Sequence, residues 1–377
     1  MGTGVIFPPV FMQVSRGRFR KFTPVPNFAI IGLFWFAKCC QMDAKPELGF
    51  SLNELAVNLV FAFAVGLFTA YLVVPRLMRF DIEKGIFDRP GGHKLHKKQI
   101  PTLGGFAIFL GVLLAMLVVF PFCRSAFISP GSIYNLLGIL IGAGIIFLMG
   151  LFDDIFGLSP AVKLIAQIFV GLAMCLFDIR IDFINSPFRE GYIFLQPWQA
   201  WIVTIFWVVA IMNAVNFIDG VDGLACGISG IAAATFLVIA LMGWQKEHNT
   251  ISALLAAGVL GCCLGFLPFN FNPAKIFLGD SGSQLLGFLL AAIAITGTFK
   301  TPAALTLFVP ILILGIPIFD TSWTVLRRSW QGKKLFAADN GHVHHEMLKH
   351  GMGPRATVLT LYGVALILGI IAVTLAR

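Results

Sequence analysis

Hydrophobic residues occur along most of this chain in runs of about twenty, separated by short connections that hold charged residues, glycines and prolines. A bilayer hydrocarbon core about 30 Å thick needs about 20 apolar residues in each helix that crosses it. The pattern therefore predicts an all-α polytopic membrane protein with about ten transmembrane helices. The predicted helices lie at residues 53–78, 104–122, 133–152, 161–177, 198–215, 224–243, 251–269, 282–299, 302–326 and 356–376.

The composition is far from that of a soluble globular protein. Hydrophobic residues make up 58% of the 377 residues and charged residues only 12%, whereas about 25% of residues are charged in soluble domains. The seven cysteines show no CxxC pair and no Cys/His zinc spacing, so we expect them to pack in the apolar interior. The net charge of +9 follows the membrane topology, and no nucleic acid partner is expected.

The Lys and Arg residues lie mainly on one face of the predicted bundle. The connections 79–103 and 327–355 hold six each, and both fall on the same side when the spans are counted. Because short basic connections stay in the cytoplasm, this face is predicted to be cytoplasmic, in the cell inner membrane. Most carboxylates also fall on this face. Membrane topology does not explain carboxylates on this face, but a site that binds a cation and an anion together would require them.

Residues 1–50 form a tail whose status the sequence leaves open, and residues 51–377 form a single transmembrane domain. A basic stretch at 16–21 precedes an apolar run at 28–37 that is shorter than a typical membrane span. The tail is therefore read as a signal-like segment, an extra helix or the product of a misassigned start. The external connection 178–197 alternates loosely and is expected to form a small β-hairpin.

Two predicted cytoplasmic segments early in the chain suit phosphate and metal chemistry. Residues 87–105 interleave bases such as Lys94 and His96 with Gly and Pro, which suits an anion site, or equally a basic loop near lipid headgroups. Asp153 and Asp154 end an apolar helix, and Lys163 follows in the next. Adjacent carboxylates there suit Mg²⁺ beside a phosphate or a general base; the alternative is a solvated helix cap.

The next two segments also place carboxylates beside glycines. Asp219 and Asp222 are each followed by Gly, which permits a tight turn that holds both near Asn216. The stretch is too short for a calcium loop, so metal or nucleotide contact is favoured. Asp280 and Ser281 open an apolar helix. Taken alone they are best explained as helix N-caps, although a helix N-terminus with glycines also suits a metal–phosphate complex.

The last segment gathers histidines and arginines. Three histidines fall within four residues, after Arg327 and Arg328 and after Asp320 in a helix broken by Pro317. Zinc binding is conceivable, but no cysteine or distant histidine set accompanies them. Phosphate coordination by imidazolium and guanidinium is the simpler interpretation.

The five segments together resemble one family, the polyprenyl-phosphate N-acetylhexosamine-1-phosphate transferases. The motifs are DRPGGHKLH…PTLGG, FDD…KLIAQ, NAVNFIDGVDGLA, NPAKIFLGDSGS and DNGHVHH, in this order within residues 53–376. The family includes enzymes that begin O-antigen and teichoic-acid linkage synthesis, and the related phospho-MurNAc-pentapeptide transferase. The resemblance implies ten helices around a cytoplasm-facing cleft with the ninth helix broken. It also implies Mg²⁺ or Mn²⁺, a UDP-sugar donor, a polyprenyl phosphate acceptor and release of UMP.

The resemblance also assigns roles by position. The expected catalytic residues are Asp153, Asp154, His342, His344 and His345. The expected metal residues are Asp280, Asn216 and Asp219. The expected substrate-binding residues are Lys94, His96, Lys163, Asn213, Asp222, Arg327 and Arg328.

Alternatives within and outside the family stay open at this point. The spelling HVHH resembles the N-acetylhexosamine branch, because the pentapeptide branch carries an uninterrupted triple histidine and a lysine where this chain has residues 155–157. A GlcNAc-type donor is therefore favoured over the pentapeptide substrate. An ion-coupled transporter is the rival from another class, with Asp320 beside Pro317 as its candidate residue. One-step against covalent two-step transfer, and monomer against homodimer, also stay open.

Overall fold

The structure is a computed structural model, and it describes residues 52–84, 87–88, 100–122, 130–185, 192–242, 247–297, 308–331 and 342–376. The expectations for residues 1–50, Lys94 and His96 lie outside these ranges. Within them the chain forms twelve helices and four short strands. The helices are α1 (Leu52–Lys84), α2 (Gly104–Val119), α3 (Pro130–Phe156), α4 (Pro160–Leu176), α5 (Pro197–Ile218), α6 (Leu224–Met242), α7 (Glu247–Asn270), α8 (Gly279–Thr296), α9 (Phe308–Ile313), α10 (Gly315–Trp330), α11 (Val343–Lys349) and α12 (Pro354–Leu375).

The predicted fold class, an all-α multi-pass membrane protein, is confirmed. Every predicted apolar stretch coincides with a helix, and seven of the described helices are long and apolar enough to cross a membrane. Helices α2 and α4 are apolar but shorter, with 16 and 17 residues. The count of ten spans therefore stays a prediction.

The ninth predicted helix is broken, as the resemblance implies. It consists of α9 and α10, which meet at Leu314. Pro317 has no backbone N–H, so it cannot donate to the carbonyl one turn earlier. The regular hydrogen bonds resume at Ile318, whose N–H donates to Leu314 at 3.0 Å. The break lies directly before α10, and α10 carries Asp320.

The four strands form two small antiparallel pairs. Strands β3 (Phe183–Asn185) and β4 (Tyr192–Phe194) pair within the connection where the sequence predicts a hairpin. Strands β1 (Phe87–Asp88) and β2 (Ile100–Pro101) pair ahead of α2. The carbonyl of Pro101 accepts a hydrogen bond from Phe277 N at 2.8 Å, so the second pair is tied to the segment that leads into α8.

Helix α8 is the central helix of the described bundle. Its residues from Ser281 to Thr296 are all buried, and it packs on α3 and α5 as well as on α2, α6 and α7. Two glycines let neighbouring helices approach its N-terminus closely. A Cβ on Gly105 of α2 or on Gly150 of α3 would overlap atoms of Ser281 or Gly282. The bundle therefore converges on the start of α8.

Candidate active site

The N-terminus of α8 is capped by an aspartate from another helix. Asp154, in the last turn of α3, accepts hydrogen bonds from Asp280 N at 2.7 Å and Ser281 N at 3.1 Å. It also accepts from the Ser281 hydroxyl at 2.6 Å. The sequence-based expectation that Asp280 or Ser281 caps this helix is wrong, because the helix begins at Gly279 and Leu278 at the N-cap position makes no side-chain bond. Asp154 satisfies those N–H groups instead.

The neighbouring aspartate has a different partner. Asp153 is buried; its Oδ1 accepts from Leu158 N at 2.6 Å, and its Oδ2 contacts the ammonium of Lys163. The same ammonium donates to Oδ2 of Asp280 at 2.7 Å. One cation from the first turn of α4 therefore lies between carboxylates from α3 and α8. This arrangement offsets the repulsion between the two acids.

Asn216, near the end of α5, completes this group. Its Nδ2 donates to Oδ1 of Asp280 at 2.5 Å and to the Ser283 hydroxyl at 2.8 Å. We call Asp153, Lys163, Asn216 and Asp280 the charged cluster. Four helices (α3, α4, α5 and α8) supply it, each from its end on the same face. Because Asp280 keeps about a third of its side chain exposed (31%), the cluster can be reached from solvent.

Asp219 lies directly beyond α5 and near the charged cluster. Burial raises the pKa of its carboxyl well above the ordinary value, and the neighbouring carboxylates of Asp280, Asp154 and Asp222 raise it further. Within the described residues, this carboxylate accepts no hydrogen bond. A carboxylate in such surroundings is stabilised by a cation.

The oxygen donors of this region fit the divalent cation that the resemblance implies. Asp280, Asp219 and Asn216 offer carboxylate and amide oxygens, the ligands that Mg²⁺ prefers. Among the residues described, no group of three His, Cys, Asp or Glu side chains is arranged to hold a metal by itself. Mg²⁺ usually keeps several waters and takes substrate phosphate oxygens beside one or two carboxylates. The residues therefore fit a metal held jointly with a diphosphate.

Asp222 lies at the edge of this region and holds a neighbouring connection. Its Oδ2 accepts from Asn272 Nδ2 at 2.9 Å and from Ala274 N at 3.0 Å. The carbonyl of Gly223, whose φ is +82°, accepts from the Tyr362 hydroxyl at 2.5 Å. Asp222 thus joins the turn after α5 to the segment before α8. Its expected contact with the nucleotide stays a prediction.

The histidine motif is anchored by Asp320, a residue that the sequence did not assign to the site. Oδ2 of Asp320 lies 2.8 Å from Nδ1 of His342, and Oδ1 accepts from Val343 N at 2.6 Å. Asp320 is buried, with 2% of its surface exposed. The bond to Nδ1 directs the other ring nitrogen of His342 away from α10. The signal in the sequence was an acid beside a helix break, which also suited the transporter interpretation.

His344 is buried beside the turn that carries Asp219. A Cβ on Gly220 would lie 2.8 Å from Nε2 of His344, so the glycine permits this approach. The pKa of His344 is lowered to about 4, chiefly by burial and also by the nearby His345 and His342, although Asp320 opposes the shift. His344 is therefore neutral near pH 7. The rings of His344 and His345 lie 4.4 Å apart, so the motif forms one compact group against the end of α5.

Three further expected site residues lie on α5 and α10. Asn213 points one helical turn deeper, where its amide bonds to Gln167 and to the Val209 carbonyl. Arg327 and Arg328 lie in the last turn of α10. Their expected contacts with substrate stay predictions.

Comparison with known proteins shows the family of this chain. Residues 136–298 match Glycosyl transferase family 4. The chain is 36% identical over 327 residues to the probable undecaprenyl-phosphate N-acetylglucosaminyl 1-phosphate transferase of Bacillus subtilis (strain 168), covering 86% of this chain and 87% of that protein. It is 31% identical over 353 residues to the decaprenyl-phosphate N-acetylglucosaminephosphotransferase of Mycolicibacterium smegmatis, covering 88% and 85%.

The pentapeptide branch is also among the relatives. The chain is 30% identical over 337 residues to the phospho-N-acetylmuramoyl-pentapeptide-transferase of Bacillus subtilis, covering 84% of this chain and 96% of that protein. Similarity over most of both chains, together with the five motifs, leads to one assignment. The chain belongs to glycosyl transferase family 4, as a member of the polyprenyl-phosphate N-acetylhexosamine-1-phosphate transferases.

Proposed function

We propose that this enzyme transfers N-acetylhexosamine 1-phosphate, of the GlcNAc type, from a UDP-sugar to undecaprenyl or another polyprenyl phosphate. The products are a polyprenyl-diphospho-sugar and UMP, and the reaction begins synthesis of a cell-envelope glycan. It takes place on the cytoplasmic face of the inner membrane and requires Mg²⁺ or Mn²⁺. The observation that carries the proposal is the meeting of Asp153, Lys163 and Asp280 at the start of α8.

Both substrates are anionic, so the reaction needs positive charge at this point. In the reaction an oxygen of the lipid phosphate forms a bond to the β-phosphorus of the donor, and the bond between that phosphorus and the oxygen bridging to the α-phosphate breaks. The main task is to neutralise repulsion between the substrates and charge on the leaving phosphate. Lys163 supplies a full positive charge, and a bound divalent cation would supply more.

The two adjacent aspartates divide the work. Asp154 is bonded to the N-terminus of α8, so it positions Asp280. Asp153 pairs with Lys163 and is the better candidate to orient the lipid phosphate or to take a proton from it. A bound Mg²⁺ would neutralise charge on the diphosphate, held by Asp280, Asp219 and Asn216.

The relatives support a GlcNAc-type donor. This chain is 36% identical to the probable N-acetylglucosaminyl 1-phosphate transferase of Bacillus subtilis. It is 30–31% identical to the pentapeptide transferases of Bacillus subtilis and Listeria monocytogenes. The interrupted histidine motif agrees with this choice. The pentapeptide substrate is therefore the second candidate.

A panel of donors tests the proposal. The purified full-length protein would be given undecaprenyl phosphate, Mg²⁺ and, in separate reactions, UDP-GlcNAc, UDP-GalNAc or UDP-MurNAc-pentapeptide, and UMP release would be measured. We expect release with a UDP-N-acetylhexosamine, dependent on both lipid and metal, and none from the Asp280→Asn variant. Release only with the pentapeptide donor would overturn the choice of substrate. If none of the three donors gives UMP release, the proposed enzymatic function is overturned.

A further inference from the structure

Three amide side chains lie together inside the bundle next to the charged cluster. Asn213 Nδ2 donates to Gln167 Oε1 at 2.7 Å, and Gln167 Nε2 donates back to Asn213 Oδ1 at 3.4 Å. Gln167 Nε2 also donates to Oε1 of Gln284 at 3.0 Å. Gln167 and Gln284 are each only 1% exposed. We call these three residues the amide layer; it joins α4, α5 and α8 through Gln167.

Each residue of the amide layer lies one helical turn from a residue of the charged cluster. Side chains three or four positions apart share one face of a helix. If any of these helices shifts along its axis or rotates, its residues in the amide layer and in the charged cluster therefore move together. The pairs, each within one helix, are Lys163 and Gln167, Asn216 and Asn213, and Asp280 and Gln284.

The amide layer is better suited to fixing the relative positions of the helices than to stabilising the fold. Hydrogen bonds between helices in membrane proteins add little to stability on average, and close packing of apolar groups serves that purpose equally well. An amide pair that exchanges two hydrogen bonds is directional, however, and it holds only one axial register between its helices. The Lys163–Asp280 contact needs such a register, because it joins side chains of two helices 117 positions apart.

We infer that Gln167 is a positioning residue for the transfer reaction, acting through its hydrogen bonds to Asn213 and Gln284. It holds α4 in one register against α5 and α8, and so sets where Lys163 meets Asp280. The inference rests on the proposed function. It adds a role for Gln167 and Gln284, whose side chains make no hydrogen bond to Lys163 or Asp280 among the described residues.

The test compares variants that keep the size of the side chain. Gln167→Met removes every bond of the amide layer, and Gln284→Met removes one. Thr296→Val is the matched control, because Thr296 is also buried in α8 but its hydroxyl bonds to Ala292 of the same helix at 2.9 Å. For each protein, kcat and the KM for UDP-GlcNAc would be measured along with the thermal unfolding midpoint in detergent.

We expect Gln167→Met to lower kcat by roughly 10- to 100-fold, the loss typical of misplaced reacting groups, with KM changed less than about twofold. Gln284→Met should lose less, and the double variant should lose no more than Gln167→Met, because both changes remove the same hydrogen bond. If Gln167→Met does not fold, Gln284→Met is the variant that tests the inference. A kcat of Gln284→Met equal to that of Thr296→Val would then overturn it.

The outcomes separate this inference from the proposed function. An inactive wild-type protein would contradict the proposed function. An active wild-type protein whose Gln167→Met variant keeps its kcat would overturn the positioning role alone. Losses in the single variants that multiply in the double variant would also overturn it, because they would show that the two glutamines act independently.

Discussion

Ser281 donates two hydrogen bonds to Asp154, one from its backbone N–H at 3.1 Å and one from its hydroxyl at 2.6 Å. The two residues are 127 positions apart, and the contact joins the last turn of α3 to the first turn of the central helix. The carboxylate therefore has a structural partner, whereas the adjacent Asp153 faces Lys163. Two neighbouring acids of one motif thus have different partners.

Asp154→Ala is expected to destabilise the protein as well as to inactivate it. Loss of an aspartate N-cap typically costs about 0.5–2 kcal/mol, so the unfolding midpoint in detergent should fall. Asp153→Asn should lose activity with little change in that midpoint, because the side chain keeps its shape and its bond to Leu158. Equal midpoints for the two variants would contradict this division of tasks.

Lys163→Met is expected to lower kcat by about 100-fold or more, because it removes the charge between Asp153 and Asp280 and leaves two acids close together. Lys163→Arg keeps the charge but has a planar, bulkier head group, so it should retain a larger share of the activity. Steady-state kinetics at saturating donor would measure both. A Met variant as active as the Arg variant would refute the role of the charge.

Asp320→Asn is expected to lower kcat by roughly 10- to 100-fold, because His342 loses the carboxylate that orients its ring. Thr324→Val is the matched control, since the Thr324 hydroxyl lies near the same ring nitrogen at the longer distance of 3.4 Å. The control should cost much less activity. Equal losses in the two variants would indicate that the Asp320–His342 bond has no special importance.

His344 predicts a specific acid sensitivity. Its pKa is lowered to about 4 by burial, against about 6.5 in an unfolded chain. A depressed pKa of this kind contributes stability that is present above about pH 6.5 and is lost as the pH falls towards 4. Between pH 7 and pH 5 the unfolding midpoint of His344→Gln should therefore fall by less than that of the wild type. His350→Gln, a change at an exposed histidine, serves as the control, and equal falls in the midpoints of the two variants would contradict the prediction.

The apolar pattern predicted the helices well, because each membrane span must be hydrophobic over its own length. Pro317 likewise indicated the break between α9 and α10. The partners of the site residues were harder to predict, since they depend on contacts between distant segments. Nothing near Asp154 in the sequence indicates that it caps α8.

The same limit applies to Asp320 and Gln167. An acid in an apolar helix suggested an ion pathway, and only the folded arrangement shows that His342 is its partner. Gln167 follows Lys163 in a motif, but its bonds to Asn213 and Gln284 depend on how three helices pack. The family resemblance predicts which groups react, whereas the residues that hydrogen-bond to them required the structure.

The central claim is most directly tested by following the donor's β-phosphate. The protein would be incubated with UDP-GlcNAc labelled with ³²P at the β-phosphate, undecaprenyl phosphate and Mg²⁺, and the products would be separated by extraction into organic solvent. The account predicts that the label enters the lipid fraction while unlabelled UMP is released, and that neither occurs with Asp280→Asn. Label that remains in water-soluble UDP while the sugar enters the lipid fraction would contradict it.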